Sequence, residues 1–274
     1  MASNCTHNCS TCNSECSHEN KSQLLSPSAG TKIKHIVGVV SGKGGVGKSM
    51  VTSMIAVALS KKGFKVGILD SDITGPSIPK AFGIGEGVSG TKTLMYPPKS
   101  KGGIEVMSIN LLVSDPSEPV LWRGPLFGGA IKNFYSDTKW GELDYLLIDM
   151  PPGTSDVALT VFNQIPIDGV ILVSTPQDLV KMIVGKAVNM CKKMNVNVLG
   201  LVENMAYYKC PCCGNPLFPF GPSKLNDVCE TFDLTPIASL PIDTNLASLI
   251  DKGSVEDADT SSFENVLAIL NTLD

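Results

Sequence analysis

Residues 42–49 read Gly-Lys-Gly-Gly-Val-Gly-Lys-Ser, a complete G-x-x-x-x-G-K-S phosphate-binding loop. In such a loop the glycines let backbone N–H groups point at phosphate oxygens, while Lys48 supplies a positive charge and Ser49 a ligand for Mg²⁺. A simple glycine-rich turn would explain the glycines but neither of these two residues. The sequence therefore predicts a bound mononucleotide, and it adds a second lysine, Lys43, that the general pattern does not require.

Three aspartates follow apolar runs that are typical of strands. Asp70 and Asp72 precede a Gly-Pro-Ser turn, and Asp149 precedes the segment MPPGTSD at 150–156. An aspartate at the end of a strand is most often a turn former, but three of them after a phosphate loop favour chemistry. We expect Asp149 to hold Mg²⁺ through water, as a Walker B acid does, and either Asp70 or Asp72 to orient the attacking water.

Two groups of cysteines could bind a metal. Cys210 and Cys213 form a C-x-x-C pair in the turn CPCCG, with Cys212 as an extra neighbour. One pair is half of a tetrahedral site; a zinc ribbon would need a second pair later in the chain, which the sequence lacks, whereas a two-fold dimer would complete four thiolates. Cys191 and Cys229 are isolated, and we expect them to be small core residues.

The second group lies near the amino terminus, in the order Cys5, Cys9, Cys12 and Cys16. Four thiols this close together can wrap one metal centre. Ferredoxin-like ligation of a cluster, structural zinc and a disordered thiol-rich tail all fit this spacing.

Composition limits the class of protein. The chain has 274 residues, enough for one large core, and a net charge of −4 with no dense cluster of Lys and Arg, which argues against nucleic-acid binding. We see no signal-peptide core in the first thirty residues and no apolar run long enough for a bilayer. The expectation is a cytoplasmic protein without a membrane partner, in which nine cysteines favour metal or cluster ligation over disulfides.

These residues need elements to position them. Residues 1–31 are rich in Ser, Asn, Thr and Cys and are predicted to be a flexible tail, and residues 32–274 one ATPase domain with an insertion loop at 207–222. Helices are predicted at 50–62 and 178–194. Strands are predicted at 35–40, 65–70, 103–110, 144–149, 169–175, 196–204 and 235–241.

Strands this apolar are covered on both faces, and their alternation with helices implies right-handed crossovers. The fold class is therefore α/β, with three layers and a doubly wound, mostly parallel sheet of the P-loop NTPase type. Ligands of such sheets collect at the carboxyl ends of the strands, where the loop and the aspartates stand.

With Lys43, Asp72 and the segment at 150–156 in place, the chain resembles the deviant Walker A ATPases, the class of MinD, ParA and the nitrogenase iron protein. Further motifs resemble the Mrp-type iron-sulfur cluster carrier ATPases over about residues 32–274. They are GPS at 75–77, WRGP at 122–125, WGELDYLLIDMPPGTSD at 140–156, TPQ at 175–177, VENMA at 202–206 and CPCCG at 210–214.

The resemblance implies that Lys43 reaches across a two-fold dimer to the partner's nucleotide, that Asp72 positions the attacking water and that Asn204 contacts adenine. The catalytic set is then Lys43, Lys48, Asp72 and Asp149. The nucleotide contacts are Gly42, Lys43, Gly44, Gly45, Val46, Gly47, Lys48, Ser49, Met50 and Asn204, with ATP and Mg²⁺ as cofactors.

The resemblance also favours a bridging 4Fe-4S cluster, held by Cys210 and Cys213 of both subunits, over zinc. Some relatives bind a second 4Fe-4S cluster through amino-terminal cysteines, which makes the tail a possible second site.

The function implied is that of a homodimeric scaffold or carrier, a slow ATPase that transfers its cluster to apo iron-sulfur proteins. A positioning ATPase like ParA or MinD is the first alternative, against which stand the missing basic surface and a carboxy-terminal helix without a cationic rim. An ATP-gated electron donor like the nitrogenase iron protein is the second. Its cluster also bridges a dimer, so the sequence does not separate it from a carrier.

Overall fold

The apolar runs form one sheet. In the computed structural model of the chain, which describes residues 24–72, 77–85, 87–91, 93–112, 124–153, 155–177 and 179–273, seven parallel strands lie in the order β10-β8-β7-β1-β6-β2-β5. Strand β9 adds to β8 in antiparallel fashion, and β3 and β4 form a separate hairpin. The strands are β1 (Lys32–Val40), β2 (Val66–Asp70), β3 (Ser89–Gly90), β4 (Met95–Tyr96), β5 (Glu105–Ser108), β6 (Glu142–Asp149), β7 (Gly169–Ser174), β8 (Val198–Lys209), β9 (Pro216–Leu217) and β10 (Pro236–Pro241).

Helices cover both faces of this sheet. They are α1 (Lys48–Lys61), α2 (Ile78–Ala81), α3 (Gly124–Ser136), α4 (Asp156–Gln164), α5 (Val180–Lys193), α6 (Leu225–Phe232), α7 (Thr244–Asp251) and α8 (Glu264–Leu270). One core packs α1 and α8 against the sheet, and a second core packs α3 to α6 against the opposite face. The three-layer, doubly wound α/β fold with a mostly parallel sheet is thus confirmed.

The alternation of side chains along β1 shows how the sequence builds both cores. Val37 and Val39 belong to the first core, and Ile36 and Val40 to the second. Because successive side chains on a strand point to opposite faces, a central strand must be apolar at every position to serve two helical layers.

Strand register brings the predicted site residues together. In the pairing of β2 with β6, Asp70 lies opposite Asp149, and Asp149 also pairs with Val39 of β1, just before the phosphate loop. The loop and two of the three aspartates therefore meet at one edge of the sheet, at the carboxyl ends of the strands.

Strand β8 is longer than its apolar pattern indicates. It runs to Lys209 instead of ending near residue 204, and its extension pairs Tyr208 with Leu217 and Lys209 with Pro216 of β9. The segment 207–222 thus begins as a β-hairpin whose turn carries the CPCCG sequence. A register shift against β10 and a φ of 55° at Met205 mark an irregularity where the pattern of the strand breaks.

Candidate functional site

The phosphate loop joins β1 to α1 and lines a cleft of about 310 Å³. Gly45 and Gly47 both have a φ of 78°, in the left-handed region that favours glycine. Gly47 also has no room for a side chain, because a Cβ there would lie 2.3 Å from Nδ2 of Asn204. No side chain caps the amino terminus of α1, so its N–H groups are available to an anion in the cleft.

The loop is confined at its other end as well. A Cβ at Gly42 would lie 2.5 Å from both the carbonyl oxygen and Cγ2 of Ile183 on α5, whereas a Cβ at Gly44 would meet no atom within 4 Å. Helix α5 and strand β8 therefore fix the two ends of the loop and leave its middle open.

Asp149 is the hub of the site and is fully buried. Its Oδ1 accepts hydrogen bonds from Nζ of Lys48 at 2.7 Å and from Oγ1 of Thr52 at 2.9 Å, and its Oδ2 accepts one from Oγ of Ser49 at 2.6 Å. The Walker A lysine and serine are thus held by the acid that the sequence assigns to Mg²⁺. A nucleotide with its metal would have to draw Lys48 and Ser49 toward the phosphates and the ion.

The two aspartates after β2 have different positions. Asp72 lines the cleft, with Oδ2 at 3.8 Å from Nζ of Lys48. Asp70 is buried, where it accepts hydrogen bonds from Oγ of Ser108 at 3.0 Å and from the N–H of Asp72 at 3.2 Å. Because Asp72 alone of the two lines the cleft, the geometry favours it over Asp70 as the residue that orients water, and its catalytic role stays a prediction.

Asp70 sits in an environment that opposes its charge. Burial, together with the nearby charge of Asp149, raises the pKa of Asp70 to about 8, although Lys48 and the hydroxyl of Ser108 act in the opposite direction. The charge of Lys48 therefore acts on three carboxyl groups, those of Asp70, Asp72 and Asp149.

Lys43 does not line the cleft of its own chain. Its Nζ donates a hydrogen bond to Oε1 of Gln177, just after β7, and its carbonyl oxygen accepts one from Oγ of Ser41 at 2.9 Å. This contact with Gln177 was not anticipated from the sequence. It is compatible with a lysine that serves a partner's nucleotide, a role that stays a prediction.

Asn204 lies behind the phosphate loop and is fully buried. Its Nδ2 donates to the carbonyl oxygen of Val46 at 2.9 Å, while its Oδ1 has no hydrogen-bond partner within the described residues. The structure thus gives Asn204 a role in positioning the loop. The contact with adenine that the resemblance assigns to it stays a prediction, as does the nucleotide contact of Met50, which does line the cleft.

The turn of the β8–β9 hairpin presents three cysteines. The N–H of Cys210 donates to the carbonyl oxygen of Asn215 at 2.9 Å, and the N–H of Gly214 donates to that of Cys210 at 2.8 Å. Hydrogen bonds from the N–H groups of Cys213 and then Cys212 lower the pKa of the Cys210 thiol. The turn therefore favours a thiolate, the form that binds iron or zinc.

Side chains around this turn are unusually exposed. Cys212 and Cys213 are exposed, and so are the apolar side chains of Leu217, Phe218 and Phe220. Sequence reasoning missed this apolar surface, although the run PLFPF at 216–220 was a visible signal. An exposed cluster of large apolar side chains is typical of a surface that meets another protein.

The remaining cysteines separate into two classes. Cys191 and Cys229 are buried in the second core, as expected, while Cys5, Cys9, Cys12 and Cys16 lie outside the described residues, as do the motif residues 75–76, 122–123 and 154. Across the described ranges of one chain, no three His, Cys, Asp or Glu side chains are grouped so as to hold a metal ion. Nor does that part of the chain contain a helix long and apolar enough to cross a membrane.

The chain is similar to known proteins over most of its length. Residues 32–273 match the family model described as ParA: NUBPL iron-transfer P-loop NTPase. The iron-sulfur cluster carrier protein of Clostridium perfringens is 49% identical over 233 residues, 82% of each chain. The cytosolic Fe-S cluster assembly factor CFD1 of Saccharomyces cerevisiae is 42% identical over 80% of this chain and 78% of its own. A nucleotide-binding protein of Archaeoglobus fulgidus, solved with ADP, superposes with a TM-score of 0.76 at 43% identity, covering 85% of this chain and 91% of that one.

Lys48→Ala should abolish ATP binding, because no other side chain of the loop replaces its charge at the β and γ phosphates. Lys43→Ala is the matched control in the same loop and should leave ATP binding largely intact. Titration calorimetry with Mg²⁺ and ATP decides the matter. If Lys48→Ala binds ATP like the parent, the assignment of the loop is wrong.

Asp70 should make the ligand-free protein less stable as the pH rises. Its pKa is 3.8 ordinarily and about 8 in the folded chain, so between these values the folded state holds a proton that the unfolded state has lost, and stability falls with increasing pH. Asp70→Asn cannot ionise and should lack this loss.

The advantage of Asp70→Asn over the parent should therefore grow across this pH window. Urea denaturation of both proteins at several pH values, without nucleotide, measures it. A difference that stays constant with pH would contradict the assignment of the proton to Asp70.

Proposed function

Because this chain belongs to the family of NUBPL iron-transfer P-loop NTPases related to ParA, we propose that it is an ATP-dependent carrier that receives an iron-sulfur cluster and transfers it to apo iron-sulfur proteins. The observation that carries the proposal is that β8 contains Asn204, which holds the phosphate loop, and leads directly into the turn with Cys210 and Cys213. The resemblance to cluster carriers drawn from the motifs is confirmed by the family match and by the named relatives.

The nucleotide site belongs to an NTPase, and we propose ATP with Mg²⁺ as its ligand. Lys48 binds the β and γ phosphates, Ser49 ligates the metal ion and Asp149 holds it through water, while Asp72 orients the attacking water. Mg²⁺, when bound, neutralises charge that develops on the phosphates. Hydrolysis is proposed to be slow and to act as a conformational timer for cluster handling.

The cluster is the cargo, and two chains complete its ligands. Cys210 and Cys213 supply two thiolates from each chain, so a two-fold dimer supplies the four that a 4Fe-4S cluster requires. Two exposed apolar side chains on α5 and just before it, Met182 and Leu179, support such a dimer, since they lie close in sequence to Gln177, the residue that holds Lys43. In the dimer, Lys43 leaves Gln177 and places its charge at the partner's phosphates.

The exposure of the turn favours a carrier over an electron donor. Thiols of Cys212 and Cys213 reach solvent, so the thiolates of a recipient can approach the irons and replace the carrier's ligands without unfolding of the domain. A cytoplasmic location is proposed with this function, in line with the cytosolic role in the name of the yeast relative. Residues 1–31 are proposed as a tail with Cys5, Cys9, Cys12 and Cys16 as ligands of a second cluster. The described end of this tail contacts the domain, since the N–H of Leu25 donates to the carbonyl oxygen of Gln164 and Oγ of Ser28 donates to that of Thr138.

Iron and acid-labile sulfide should follow Cys210 and Cys213. After anaerobic purification, a chain lacking residues 1–31 should carry about one 4Fe-4S cluster per dimer, because each subunit donates half of the ligands. Cys210→Ser together with Cys213→Ser should remove the cluster and its transfer to an apo-ferredoxin, while ATP binding persists.

Cys212→Ser, a change in the same turn, is the control and should keep the cluster. The same analysis of the full chain, with and without the double substitution, reports on the tail. The bridging cluster would be contradicted if the truncated double variant retained iron or if the truncated parent contained zinc. Zinc in the truncated parent would indicate a structural metal site.

A hybrid dimer tests whether Lys43 acts on the partner's nucleotide. In a dimer that joins a Lys43→Ala subunit to an Asp72→Asn subunit, one site keeps both its own Asp72 and the partner's Lys43, and the other site has neither. ATP hydrolysis in the hybrid should recover toward half of the parent's rate, while each homodimeric variant stays inactive. A hybrid as inactive as the homodimers would show that Lys43 serves its own chain.

A further inference from the structure

Glu203 is a buried carboxylate with two hydrogen bonds to the chain that returns from the cysteine turn. It is 1% exposed, and its oxygens accept from Oγ of Ser223 at 2.5 Å and from the N–H of Lys224 at 2.9 Å. Hydrogen bonds to a buried carboxylate are charge-assisted and strong, and the free energy lost when one is left unmade is large. Glu203 therefore fixes the position of residues 223–224.

This contact lies at the end of the segment that carries the cysteines, between β8 and α6. The chain leaves the sheet by continuing β8 to Lys209, turns at CPCCG, returns through β9 and meets Glu203 immediately before α6. The hairpin therefore begins as a continuation of β8, and the chain that returns from it is bound to Glu203 of the same strand. The segment that carries Cys210 and Cys213 is thus attached to β8 at both of its ends.

The next residue along β8 holds the phosphate loop. Asn204 donates to the carbonyl oxygen of Val46 at 2.9 Å, and the neighbouring Gly47 approaches it so closely that a Cβ would not fit. Since successive residues of a strand point to opposite faces, Asn204 and Glu203 engage the two sides of the sheet through one shared peptide unit. The core assignments agree, because Val202 packs in the first core and Leu201 in the second.

We propose that Glu203 is a positioning residue that couples the nucleotide state of the phosphate loop to the cysteine turn. The inference rests on the proposed function and deepens it by naming the connection between the two sites. When phosphates fill the loop, a shift of Val46 displaces the peptide between Asn204 and Glu203, and Glu203 carries that displacement to residues 223–224 and the turn. Because coupling between two ligands is reciprocal, a bound cluster changes the affinity for ATP by the same factor by which ATP changes the affinity for the cluster.

The test compares ATP affinities of cluster-loaded and cluster-free protein. The full chain is purified anaerobically, and titration calorimetry with Mg²⁺ and a non-hydrolysable ATP analogue gives a dissociation constant for each form. The parent should show a ratio of at least about 5 between the two constants, in the range usual for coupled sites. In Glu203→Gln, which cannot accept both hydrogen bonds, this ratio should fall toward one, while iron content and the affinity of the cluster-free form stay within about 2-fold of the parent.

Two further variants make the result specific. Glu230→Gln changes an exposed glutamate on α6 and should keep the full ratio. Ser223→Ala removes one of the two donors and should lower the ratio in part. If Glu203→Gln does not fold or does not load iron, the ratio measured for Ser223→Ala tests the coupling instead.

The possible failures are distinct. A parent that binds iron but gives a ratio of one overturns the coupling and leaves the carrier function standing. A ratio unchanged in Glu203→Gln, or in Ser223→Ala where that variant must decide, also overturns the coupling. A parent that binds no iron overturns the proposed function and this inference with it.

Discussion

The site depends on the hydrogen bonds that the buried carboxylate of Asp149 accepts. It lies where β6 meets β1 and β2 and receives three hydrogen bonds, from Lys48, Ser49 and Thr52. These bonds tie the start of α1 to the central sheet. A buried ion pair such as this one contributes little net stability, because the cost of removing both charges from water offsets their attraction.

The same arrangement brings several carboxyl groups close to one another and to Lys48. Asp70 and Asp149 lie opposite each other in the sheet, and Lys48 is the cation near both of them. Burial is the main cause of the raised pKa of Asp70, and the nearby charge of Asp149 adds to it. A cation bound in this cleft would lower the electrostatic cost of holding these carboxyl groups close together.

Much of this could be predicted from the sequence, because the relevant signals are local. The glycines and lysines at 42–49, the apolar runs that end in Asp70 and Asp149, and the alternation with helices determine a doubly wound sheet with its ligands at one edge. The contacts of Lys43 with Gln177, of Asn204 with Val46 and of Glu203 with Ser223 could not be predicted, since each joins segments whose approach depends on tertiary packing. The end of β8 was misjudged for a related reason: the strand continues past the irregular Met205 because β9 and β10 pair with it, not because its own pattern is regular.

The uneven confinement of the phosphate loop limits how this protein can be varied. Gly42 is pressed against Ile183 and Gly47 against Asn204, whereas Gly44 faces open space with an ordinary backbone conformation. In a library of variants, the two end positions would accept almost nothing but glycine. Position 44 would accept other side chains without disturbing the packing of the loop, and since it lines the cleft, such changes would act on the space available to phosphates while the fold stays intact.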